Sequence, residues 1–114
     1  MIEVYHNPRC SKSRAALQYL EDKKQKFEIY KYLDEKLSKN QIQTILDKTG
    51  LKPIDLVRTN EAIWKENYKG KDLTDEQIIS AIVENPKLLE LPIVINGDRA
   101  VVARPTEKID EILD

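Results

Sequence analysis

The first thirty residues constrain the fold more than any other part of this chain. Ile2, Val4 and Tyr5 are a short run of β-formers that stops at Asn7-Pro8, a turn signal, so a strand is expected over residues 2 to 5. From Ser11 the apolar positions change to helical spacing, with Ala16, Leu17 and Leu20 on one face and a charged end from Glu21 to Lys24. Phe27 and Ile29 then alternate with Glu28 and Tyr30 through a second strand. A strand, a helix and a strand in so short a span have one common solution, a parallel pair joined by a right-handed crossover.

The texture then turns helical. Ser38 and Gln41 form a capping box ahead of Ile42, Ile45 and Leu46, and Gly50 ends that run. Pro53 opens a short helical stretch through Ile54, Leu56 and Val57, and Ile63, Trp64 and Tyr68 suggest another turn or two. A second capping box, Thr74 with Gln77, leads into Ile78, Ile79, Ile82 and Val83 before Asn85-Pro86 stops it. Ile93-Val94-Ile95, the turn pair Asn96-Gly97 and the run from Asp98 to Ala103 read as a β-hairpin, and Arg104-Pro105 starts a last helix with Ile109, Ile112 and Leu113 inward. The expected fold is α/β: a thioredoxin-like four-stranded mixed sheet, with a helical insertion at 38–86 between its βαβ and ββα halves. At 114 residues the chain is expected to be a single domain, 1–114.

Charge excludes more than it names. Nineteen Lys and Arg stand against twenty Asp and Glu, a net charge of -1, so no basic excess points to nucleic acid. There is no apolar run long enough to span a bilayer, and the chain enters IEVYH without a basic and then apolar leader. A soluble, cytoplasmic, monomeric protein is expected, with no membrane partner.

Chemistry concentrates in HNPRCSKSR, residues 6 to 14, which contains the one cysteine and the one histidine of the chain. A cysteine kept for packing usually sits among hydrophobes, and Cys10 does not. A lone cysteine cannot close an internal disulfide, which fits a reducing compartment and leaves the thiol free. The thiolate is the nucleophilic form, and an ordinary cysteine with a pKa of about 8.5 is only a few per cent ionised at neutral pH. Here a helix N-terminus aims its unpaired N–H groups at Cys10, and Arg9, Lys12 and Arg14 add positive charge, so the anion is favoured. The same backbone donors are expected to cradle an oxyanion beside the sulfur. His6 has a supporting role, steadying either the loop or the thiolate. Ser13 either donates its hydroxyl to the thiolate or serves the helix, and Arg14 and Lys12 are by default solvated. The spacing is C-x-x-S, so any redox cycle needs an external thiol. One Cys and one His fall short of a zinc site, and no metal is expected.

Four stretches, YHNPRCSKSR, PIDLVRTNEAIWKE, ENPKLLELPIVING and ARP, resemble in order and spacing the glutaredoxin-coupled arsenate reductase family over essentially the whole chain. The resemblance implies a reaction in which the loop cysteine attacks arsenate, glutathione adds to the thiol-bound arsenic, and glutaredoxin removes it as arsenite forms. It carries the nucleophile onto Cys10, the loop histidine onto His6, oxyanion-binding arginines onto Arg58 and Arg104, and a cis proline facing the cysteine onto Pro92. Glutathione is then a co-substrate and glutaredoxin a partner, with no bound cofactor. The family places a further arginine before that proline, where this chain has Leu91; Arg9, inside the loop, is a candidate to compensate. Two other functions fit the same residues. One is a glutathione-dependent thiol or disulfide reductase without arsenate activity, for which Leu91 would offer an apolar wall to a thiol substrate. The other is a regulator similar to the Spx-like proteins, which bind RNA polymerase; those carry C-x-x-C switches, and Ser13 argues against a self-contained one.

Overall fold

The computed structural model describes residues 2–30 and 37–113. The chain divides into two compact units, one of Met1–Glu35 with Leu91–Asp114 and one of Lys36–Glu90. The second covers the stretch read from sequence as an insertion.

The first unit contains the four strands found among the described residues. β1 (Ile2–Tyr5) leads through a loop into helix α1 (Ser11–Asp22) and on to β2 (Phe27–Tyr30); β3 (Ile93–Asn96) and β4 (Arg99–Val102) come from the far end of the chain. The sheet order is β2-β1-β3-β4, with β1 parallel to β2 and antiparallel to β3, and β3 antiparallel to β4. This is the thioredoxin-like arrangement. Because side chains alternate along a strand, Ile2 and Val4 share one face, and register sets Val94 opposite both Val4 and Val101. On that face Ala16 and Leu20 of α1 join Ile2, Val4, Val94, Ala103, Ile109 and Ile112 in one buried cluster. Full burial of a leucine such as Leu20 contributes about 1.5–3 kcal/mol.

The hairpin differs from the sequence expectation by one residue. Asn96 is the last residue of β3, paired with Arg99, and the two-residue loop is Gly97-Asp98, with Gly97 at φ 64°. A loop at Asn96-Gly97 would have set Val94 against Arg99. The observed register sets it against Val101, so the apolar pairing of the buried face outweighs the turn preference of Asn-Gly. Asn96 instead uses its side-chain amide to donate to the carbonyl of Ile112 at 2.7 Å.

The closing helix also differs, for Thr106–Ile112 is a 3-10 helix. Its buried residues, Ile109 and Ile112, are three apart, and at three residues per turn they fall on one line against the sheet.

In the second unit, α2 (Lys39–Thr49), α3 (Ala62–Asn67) and α4 (Asp75–Glu84) are joined by 3-10 turns at Pro53–Leu56 and Pro86–Leu88. Both capping boxes form: Gln41 N–H donates to Ser38 Oγ at 3.1 Å and Gln77 N–H to Thr74 Oγ1 at 3.2 Å, each returned by the glutamine side-chain oxygen. Gly50 closes α2 in the left-handed region at φ 73°, where a side chain would be strained. Ile42, Ile45 and Leu46 of α2 pack with Ile78, Ile79 and Ile82 of α4 as the apolar spine.

Candidate active site

Cys10 occupies the N-cap position of α1, half-buried and free. Three backbone groups of the preceding loop turn inward on one another. Cys10 N–H donates to the carbonyl of Asn7 at 2.9 Å, Arg9 N–H to Asn7 Oδ1 at 3.0 Å, and Asn7 N–H to Ser13 Oγ at 3.2 Å. Arg14 reaches back with Nη1 to the carbonyl of Pro8 at 2.8 Å. The loop amides of Asn7, Arg9 and Cys10 are therefore spent on holding the loop and are not available to an anion. The donors left for an anion are the first-turn amides of α1, from Ser11 to Ser13: a helix gives these no internal acceptor, and the Cys10 side chain caps none of them.

Asn7 organises this loop and was absent from the residues singled out by sequence. Its signal was present as Asn-Pro, since asparagine bonds its own backbone two residues on and so builds a turn without a strand or helix.

The three supporting residues of the motif fall into place differently from one another. Ser13 is fully buried and bonds to Nδ1 of His6 at 2.5 Å, so its hydroxyl serves His6 and the loop rather than the sulfur. His6 is itself buried, and burial together with the nearby positive charge of Arg14 lowers its pKa below the ordinary histidine value, so the ring is neutral at neutral pH. Arg14 clamps the loop and adds its charge to the burial that disfavours a protonated His6. Arg9 and Lys12 have exposed side chains.

Arg104 is brought to the cysteine from 94 residues away in sequence. Its Nε donates to the carbonyl of Leu91, and its Nη2 lies 3.9 Å from Cys10 Sγ. One planar guanidinium thus spans a backbone acceptor and the sulfur, a double engagement a lysine could not make. The Leu91-Pro92 peptide bond is cis, and both residues are buried. Leu91 contributes its carbonyl to the site, while its side chain is only 1% exposed and presents no open apolar wall. The apolar wall that sequence reading assigned to Leu91 is accordingly replaced by a backbone acceptor that aims Arg104.

Arg58 belongs to the second unit. Its backbone N–H donates to the carbonyl of Leu88 at 2.7 Å beside a bridge between Val57 and Leu89, and its Nη1 pairs with Glu61 at 3.4 Å. Among the described residues no cluster of His, Cys, Asp and Glu could hold a metal ion, and no helix is long and apolar enough to cross a membrane.

A half-buried thiol at a helix N-terminus, with a guanidinium beside it, can attack an electrophile and hold an anion at the same place. The chain is 42% identical over 112 residues to an arsenate reductase of Haemophilus influenzae, covering 96% of this chain and 97% of that protein. It is 39% identical over 114 residues to one of Neisseria meningitidis, covering 98% and 97%. Its structure is similar to that of an arsenate reductase from Vibrio cholerae with a TM-score of 0.92 at 36% identity, over 98% of this chain and 97% of that one. The model of the ArsC family matches residues 5–112, from the end of β1 to the last turn of the closing helix, and with relatives this similar along nearly its whole length the chain belongs to the ArsC family.

Proposed function

We propose that this chain is an arsenate reductase that works through Cys10 with glutathione and glutaredoxin. The observation that carries the reading is the placement of Arg104 Nη2 at 3.9 Å from a free cysteine sulfur at a helix start, in a member of the ArsC family. In the proposed cycle the Cys10 thiolate displaces an oxygen of arsenate, as hydroxide or water, and forms an S–As(V) bond. A glutathione thiolate displaces a second oxygen and forms another. A glutaredoxin thiolate then attacks the glutathione sulfur, making a mixed disulfide. The electron pair of the broken S–As bond stays on arsenic, which becomes As(III), and water releases arsenite and restores the Cys10 thiol. Two thiols are oxidised for each arsenate reduced.

Arg104 supplies charge-assisted donors where negative charge gathers on the oxyanion, and by resemblance Arg58 is a second such ligand. The first-turn amides of α1 add neutral donors. The cycle calls for a reducing cytoplasm, where glutathione is abundant and Cys10 stays reduced.

The test is direct: purified protein, arsenate, glutathione and glutaredoxin, with arsenite measured. Turnover that requires all three and disappears in Cys10→Ser supports the reading. Turnover of a glutathione mixed disulfide with no arsenite formed would replace it with a thiol–disulfide reductase on the same cysteine.

A further inference from the structure

Outside the apolar and aromatic core, His6 and Ser13 are the buried side chains among the described residues, and they are bonded to each other. The roles in that bond follow from the other partner of Ser13. Its Oγ already accepts the N–H of Asn7, and a hydroxyl has one proton to give. With no third partner for Oγ among the described residues, that proton goes to Nδ1 of His6, which must then be the bare nitrogen of the ring. The ring proton is left on Nε2. No buried side-chain nitrogen or oxygen in the described structure lacks a partner, and Nε2 has none among the described residues, so Nε2 is the edge of His6 that reaches solvent.

We propose that Ser13 is a positioning residue: by donating to Nδ1 it holds His6 in its Nε2–H form and presents that N–H at the base of the Cys10 loop as a fixed, neutral donor to the oxyanion. The use assigned to the donor rests on the function proposed above; the tautomer does not. A ring free to exchange tautomers would offer a bare nitrogen part of the time, and a lone pair facing an oxyanion repels it. The C-x-x-S spacing thereby acquires a purpose of its own. The serine three residues after the nucleophile, in the first turn of α1, acts through the histidine four residues before it.

The single histidine makes this measurable without ambiguity. In the full-length, nitrogen-15-labelled protein at neutral pH, the two ring nitrogens of His6 should give one protonated signal, at Nε2, and one bare signal, at Nδ1. Ser13→Ala should collapse them toward tautomer-averaged values, and Ser13→Thr, which keeps the hydroxyl, should restore the separation. In arsenate reduction Ser13→Ala should lower kcat by about tenfold, the size of one net hydrogen bond, with KM changed far less, and Ser13→Thr should recover most of the loss. A wild-type ring protonated at Nδ1 would overturn the proposal before any variant is made. So would a Ser13→Ala protein with averaged ring signals and undiminished kcat. If the wild-type protein forms no arsenite at all, the function proposed above fails, and the assignment of Ser13 is still decided by the ring-nitrogen spectrum.

Discussion

Changing Leu91 to arginine separates the backbone role of this position, the carbonyl that receives Arg104, from any side-chain role in holding an oxyanion. The leucine side chain is 1% exposed, so the substitution first forfeits its burial, about 1.5–3 kcal/mol. It then asks a longer, charged group to occupy the same space. An unpaired guanidinium held out of water costs several kcal/mol more, and escape to solvent requires the backbone next to Pro92 to move. A total loss of at least about 3 kcal/mol is expected, a large share of the roughly 5–15 kcal/mol that stabilises a domain. At about 4 °C per kcal/mol for a chain of this length, the melting temperature should fall by about 12 °C or more. Leu91→Met, which conserves volume, should cost less than about 1.5 kcal/mol, and Leu91→Ala about 2–5 kcal/mol. Circular dichroism melting with urea titration on the three variants reads the series, and arsenate kinetics per folded molecule reads the chemistry. A Leu91→Arg protein that melts within about 2 °C of wild type and reduces arsenate faster would refute the reasoning. It would mean that the side chain has ready access to the oxyanion.

Cys10→Ser should abolish arsenite formation and leave melting nearly unchanged, since the half-buried sulfur is not part of the apolar cluster on the sheet. Arg104→Ala should lower kcat/KM for arsenate by about ten- to a hundredfold, the loss of a charge-assisted donor worth roughly 1.5–3 kcal/mol, and Arg104→Lys should recover only part because one nitrogen cannot reach both Leu91 and Cys10. Arg58→Ala should cost no more than about 1 kcal/mol of stability, because its ion pair with Glu61 is partly solvated; a larger loss in a urea titration would make the arginine structural. His6, with its pKa lowered on folding, binds fewer protons in the native than in the unfolded state, so its contribution favours higher pH. Stability should be level above the ordinary histidine value of 6.5 and decline as pH falls below it, and His6→Gln should flatten that decline in melts run across the range.

Much of the fold was legible because burial writes period into sequence. Runs of β-formers marked β1 and β2, helical spacing marked α1 and α4, and the two Ser/Thr-x-x-Gln boxes located the starts of α2 and α4 to the residue. The errors came where a local preference met a tertiary demand. Asn96-Gly97 is a strong turn signal, yet the pairing of Val94 with Val101 moved the loop by one residue. Ile109 and Ile112 suit an α-helix as well as a 3-10 helix, and only contact with the sheet decides between them. At the site, Cys10 was legible from its polar surroundings, and so was the cluster of charges around it. What sequence could not show was how the donors are allocated. Whether Ser13 faces the sulfur or the imidazole, and whether the amides of Asn7, Arg9 and Cys10 are free or taken, depends on the path of the loop. The engagement of Arg104 by the carbonyl of Leu91 has no counterpart in residue types at all.

The order of strands also has a bearing on how the protein is made. β1 lies inside the sheet, but only its β2 side is furnished by nearby residues, Val4 meeting Ile29; on its other side Val4 meets Val94. A chain emerging from the ribosome must carry β1 with one open edge until the last strands are synthesised, and closing the longer loop costs about 1 kcal/mol more than closing the shorter. An unpaired strand edge is where nascent chains stick to one another. Arg104 arrives on the same late segment that covers this edge, so the thiol acquires its cationic partner at the moment the sheet is completed. Chains stalled before Arg104 would hold Cys10 without its guanidinium, and the reactive pair would exist only in molecules whose synthesis had passed that residue.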